Sequence, residues 1–176
     1  MTAQDSQPSD LSAYLWNPRI TPADLGEPKQ YYEQVFEQYK IYVETAEQVS
    51  SRRNTANAFF LTLHTLLLTA IGLFYQEGNR FDPSWLIGGP VIAALVICYI
   101  WWRLVKSYQQ LNNAKFKVIQ AFEDHLPARP FVETEWKILG EGKVRQIYWP
   151  LTGLESVVPF VFGALYLFGS LALSFF

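Results

Sequence analysis

Apolar residues gather into three runs, Ala56–Tyr75, Trp85–Trp102 and Val157–Phe176, none of which holds an Asp, Glu, Lys or Arg. At about 18–20 residues, each has the length a helix needs to cross roughly 30 Å of hydrocarbon. Outside these runs the pattern changes in kind. From Lys29 to Asn54 there is no Pro or Gly, and Tyr32, Phe36, Tyr39, Val43 and Ala46 recur at alternating spacings of three and four. That is a heptad seam. It returns beyond the second run at Leu104, Tyr108, Leu111, Val118 and Phe122, with Lys115 at its one polar position. Two such helices, entering antiparallel spans joined by a short link, are expected to lie side by side as a stalk; the alternative is two amphipathic helices that merely cover each other.

The remaining segments read as connectors. Pro127 and Pro130 break the second seam at LPARPF, because proline lacks the amide a helix needs. A short amphipathic helix is expected near Glu133–Leu139, stopped by Gly140 and Gly142. Thr152 and Glu155 stand in capping-box spacing ahead of the third run, and Pro159 then falls in its first turns, where both are favourable. The first 28 residues carry four prolines. The reading is therefore 1–28 a flexible N-terminal arm that is disordered or clasps a neighbour, 29–54 a cytosolic helix, 55–75 transmembrane helix 1, and 76–84 an external hairpin. It continues with 85–102 as transmembrane helix 2, 103–156 a cytosolic helix plus fold-back segment, and 157–176 transmembrane helix 3. The fold class is an all-α integral membrane protein, with two of its three transmembrane helices extended into a cytosolic helical stalk.

Charge orients this plan. Residues 1–54 carry Arg19, Lys29, Lys40, Arg52 and Arg53, the segment 103–156 carries eight basic residues, and the link between the first two spans has Arg80 alone. Basic residues close to the spans mark the cytosolic side, so the N-terminus is expected in the cytosol and the C-terminus at the external face. Trp85, Tyr99, Trp101, Trp102, Tyr148 and Trp149 then sit near the two interfaces, where amphipathic rings are favoured. The net charge of −2 argues against a nucleic-acid partner, which needs a concentrated basic stripe. A single cysteine, Cys98, excludes a disulfide framework or a thiol zinc cluster.

Candidate chemistry is sparse. Small residues at helical spacing mark close packing in lipid: Ala58, Thr62, Thr65 and Thr69 in the first span, Pro90, Ala94 and Cys98 in the second, Gly163, Ser170 and Ser174 in the third. Three such stripes exceed what one three-helix bundle obviously uses, which favours contacts between subunits over internal packing alone. His64, midway along the first span, is either a pore liner or proton site, or a neutral imidazole bonded to a threonine of an adjacent helix. His125 lies in the run Glu123-Asp124-His125, a solvated face rather than a metal site. The Gly140-Glu141-Gly142-Lys143 turn lacks phosphate-loop spacing. Catalytic, cofactor and metal sites are expected to be absent.

Longer blocks carry a resemblance. FEQYKIYVETAEQVSSRRNTANAFFLTLHTLLL, WWRLVKSYQQLNNAKFKVIQAFEDHLPARPF, EWKILGEGK and PLTGLESVVPF are similar to the RipA-like octameric bacterial membrane proteins over about Phe36 to Phe162. The resemblance implies a three-span bacterial inner-membrane protein, assembled as a homo-octamer, with no established molecular activity and no catalytic residues to carry over. The first span, with its Arg52-Arg53-Asn54 start, also resembles the two-span SLATT-type domains of bacterial defence systems, which implies a triggered pore. Leu126–Phe176 has no counterpart there. The expectation is a non-enzymatic ring in membrane lipid, scaffold or channel, with His64, Thr62, Thr65 and Thr69 lining any path and Arg52 and Arg53 at its cytosolic mouth. The alternative is an anchor whose stalk and arm recruit a cytosolic protein partner.

Overall fold

A computed structural model describes residues 11–76, 85–140 and 151–175, and every element among them is helical. In chain order these are α1 (Ser12–Leu15), a 3-10 turn at Pro22–Leu25, α2 (Pro28–Gln76), α3 (Trp85–Glu123), a π-helical turn at Pro130–Glu135, α4 (Trp136–Ile138) and α5 (Leu151–Phe175). α2 opens on Pro28, whose fixed φ suits a first helical position, and meets its first glycine only at Gly72. α3 stops at Glu123, ahead of Pro127. Gly140, two residues past the end of α4, has a φ of 64°, the left-handed conformation that terminates helices. α2, α3 and α5 each contain a stretch long and apolar enough to span a bilayer.

The chain divides into two compact units, residues 1–48 with 111–149 and residues 49–110 with 150–176. In the first, Val35, Tyr39 and Ala46 of α2 are buried with Ile119 and Phe122 of α3. Leu15, Trp16, Leu126 and Phe131 pack around them, and the Trp16 ring meets Phe122 edge-on at 5.6 Å. Residues 11–27, within the segment expected to be a flexible arm, thus contribute side chains to this core. In the second unit Ala94 and Cys98 of α3 are buried with Tyr166 of α5, flanked by Leu68, Ile71 and Phe162.

Two readings of the chain are corrected. The buried stripe of α2 runs through Val35, Tyr39, Ala46 and Val49, leaving Tyr32 58% and Phe36 47% exposed; on α3 it includes Trp101 and Val105, and Leu111 is 46% exposed. Spacing of three and four fixes a period but not which flank of the stripe meets a partner. The third helix starts at Leu151, one residue before the cap expected at Thr152 and six before the apolar run at Val157. Pro159 therefore lies inside α5 rather than in its first turns, fully buried, where it costs the helix one backbone hydrogen bond. Thr152 becomes the second helical residue instead of a cap. The hairpin 77–84 and the fold-back 141–150, with Gly142, Lys143, Tyr148 and Trp149, lie outside the described residues.

Candidate functional site

His64 is wholly buried in the second unit. It lies on the inward face of α2, and three rings enclose it: Trp101 at 5.6 Å, Phe162 at 5.1 Å and Tyr166 at 5.7 Å between centroids. Its Nδ1 is 3.0 Å from the Tyr166 hydroxyl, which also reaches the His64 carbonyl at 3.4 Å. Its Nε2 is 3.7 Å from Cys98 Sγ. A neutral ring satisfies every atom in two ways. Either the phenol donates to Nδ1 and Nε2–H donates to sulfur, or the phenol donates to the carbonyl, Nδ1–H donates to the phenol and the thiol donates to Nε2. The ring meets Tyr166, not a threonine.

The predicted path residues do not gather around this histidine. Thr62, Thr65 and Thr69 are exposed, and each hydroxyl donates to the carbonyl four residues back, at 2.9, 2.8 and 2.9 Å. At about 100° of turn per residue, they lie roughly 100–160° around α2 from His64, on its exposed side. Arg52 is exposed. Arg53 instead turns inward, its Nε 3.3 Å from Glu155 Oε2, with both side chains no more than a fifth exposed. The two atoms attract as charges but are not aligned as a hydrogen bond. Glu155, expected as a helix cap, is thus an ion-pair partner.

Of the packing residues, Ala94, Cys98 and Gly163 serve the interior of the protomer. A Cβ on Gly163 would meet Leu95 Cδ2 at 3.7 Å. Ser170 donates to the Leu167 carbonyl at 2.9 Å; the Ser174 side chain lies outside the described residues. Two further bonds tie the same helices, Trp101 Nε1–H to Asn57 Oδ1 at 2.9 Å and Gln109 Nε2–H to Ser156 Oγ at 2.8 Å. Asn57 and Tyr166 carry no sequence signal of a role beyond being polar groups within or beside apolar runs.

In the first unit, Glu123 is fully buried. Its Oε1 accepts from the Tyr39 hydroxyl at 3.2 Å and from the Phe131 amide at 3.1 Å, which latches the turn after α3. Burial first, and the Glu123 carboxylate second, push the Tyr39 phenol up to about 12. Lys115 is likewise satisfied, donating to Thr45 Oγ1 at 2.8 Å with its ammonium 4.5 Å over the Tyr42 ring. Asp124 pairs with Arg129 at 3.4 Å, and the exposed His125 has Nδ1 3.2 Å from the Ala121 carbonyl. Among the described residues no group of three His, Cys, Asp or Glu is placed to hold a metal ion.

Known proteins bear on what this architecture is for. The model of the octameric membrane protein family matches residues 36–175. The chain belongs to this family. The resemblance noted from the sequence blocks is borne out, and the match runs on through α5, which a two-span domain lacks. No curated protein and no solved structure matches the chain. A member of the octameric membrane protein family with three apolar helices is a multi-pass membrane protein that self-assembles.

Proposed function

We propose that the protein is a non-enzymatic scaffold, an octameric ring in the bacterial inner membrane, with its N-terminus in the cytosol and its C-terminus at the external face. The observation that carries the reading is the enclosure of His64. The one imidazole of the spans is spent on Tyr166 and Cys98 within its own protomer, which supports a packing role over a gate. The outward face of α2 offers Thr62, Thr65 and Thr69 with their hydroxyls already bonded, and that stripe is the surface on which neighbouring protomers would close. The first unit forms the cytosolic stalk. Its exposed Tyr32 and Phe36 have no lipid to cover them and favour a cytosolic protein partner.

A second reading, a channel lined by the threonine stripe, is favoured by the exposure of all three threonines on one face. Ion flux through the purified protein in liposomes separates the two, measured over several salts and pH values. The scaffold gives no flux above empty vesicles. Selective flux that changes with Thr65→Val, which exchanges the hydroxyl for a methyl group, would replace it with the channel. Loss of flux with His64→Ala in a variant that keeps its assembly would restore the gate.

A further inference from the structure

A groove of about 340 Å³ lies between α3 and α5 in the second unit, walled by Leu95, Tyr99, Trp102, Phe160, Gly163 and Ala164. Tyr99 and Phe160 are 60% and 59% exposed. Their rings each lie 5.9 Å from the Trp102 ring, one on either side of it in the contact chain, so aromatic groups rim the opening. A groove of this volume, walled by apolar side chains, has room for much of one hydrocarbon chain.

The sequence continues the groove with charge. Leu95, Tyr99 and Trp102 follow one face of α3, and Lys106 extends that face a single turn further, about 6 Å along the axis. Arg103 stands one turn beyond Tyr99. Among the described residues neither Arg103 nor Lys106 is ion-paired, and Glu155 is engaged by Arg53. An apolar slot with a rim of tyrosine and tryptophan, then unpaired cations, matches the order of a phospholipid read from tail to phosphate.

We propose that this groove is a binding site for an anionic phospholipid, one acyl chain lying between α3 and α5 and the phosphate held by Arg103 and Lys106. The site serves a scaffold and a channel equally, so it does not rest on the choice between them.

The test uses the full-length oligomer, delipidated in a neutral detergent, with phosphatidylglycerol, phosphatidylcholine or inorganic phosphate added. The expected result is a Tm raised about 4 °C more by phosphatidylglycerol than by phosphatidylcholine, with no rise from inorganic phosphate. Arg103→Gln with Lys106→Gln abolishes the difference between the lipids while the lipid-free Tm stays at the wild-type value. Ala164→Phe, which fills the slot, abolishes the response to both. Equal shifts from the two lipids, an undiminished difference in the double variant, or a matching shift from inorganic phosphate would each overturn the site. So would dissociation of the oligomer by Ala164→Phe in native mass spectrometry, since the groove would then be a protomer contact.

Discussion

Two fully buried ionisable side chains, His64 and Glu123, show how polar groups are afforded inside this chain: each is matched to a phenol from another helix. Hydrogen bonds of this kind within membrane bundles contribute about 0.6 kcal/mol on average, at most about 1.7. Tyr166→Phe is accordingly expected to lower stability by that amount in reversible unfolding, whereas His64→Ala costs more, because it adds a cavity among Trp101, Phe162 and Tyr166. Equal losses from the two would mean that the packing around the imidazole is loose. Outside the spans, Tyr39 gives a pH signature. Its folded pKa is raised to about 12, above an unfolded value near 10, so the folded state holds the proton more tightly. The associated stability is complete below about pH 10 and is lost as pH rises through about 12. Tyr39→Phe should flatten that part of the Tm profile, and an identical alkaline decline in the variant would remove Tyr39 from the account. His64 is legible in the sequence as a lone ionisable residue in an apolar run. Its partner is not, because Tyr166 lies 102 positions away and is one aromatic among many.

Element boundaries follow the same division between local and distant information. The three apolar runs, the absence of helix breakers after Lys29 and the stop at Gly140 are local, and all were readable. The start of α5 was readable to within a residue, since the capping-box spacing at Thr152 and Glu155 looks like a helix start and the helix begins at Leu151. The tie of Glu155 to Arg53 on α2 was not. The burial of this pair sets its worth. With both side chains at 20% exposure or less, deleting one charge leaves the other poorly solvated, at a cost of about 1–3 kcal/mol. Arg53→Ala and Glu155→Ala should each destabilise by that much, and the double variant by clearly less than their sum. Strict additivity would show that the 3.3 Å approach carries no coupling. The seam teaches a similar lesson: Tyr39 and Ala46 belong to the buried stripe, yet Val35 and Val49 complete it where Tyr32 and Phe36 would by period alone.

At the scale of the whole molecule, the three small-residue stripes divide by use. Ala94 with Cys98, and Gly163, close the protomer on itself, which leaves the threonine stripe of α2 facing outward. Apolar side chains such as Phe59, Leu66, Ile92 and Phe168 are also exposed, at 61%, 63%, 64% and 71%, and lipid covers these without loss. Threonines at this spacing differ, because they let a second helix approach closely. On the proposed reading a neighbouring protomer supplies that second helix, and a heterologous contact that closes would make a ring. Stability and assembly should therefore separate. Tyr166→Phe should lower the Tm with the oligomer mass unchanged, since it acts inside one protomer. Thr65→Trp should leave helicity intact, as measured by circular dichroism, and shift native mass spectra toward smaller species. If Thr65→Trp keeps the full oligomer but blocks flux in a conducting preparation, the stripe lines a lumen and protomers meet elsewhere. If it changes neither mass nor flux, the stripe faces lipid alone, and the contact must be sought on α3 or α5.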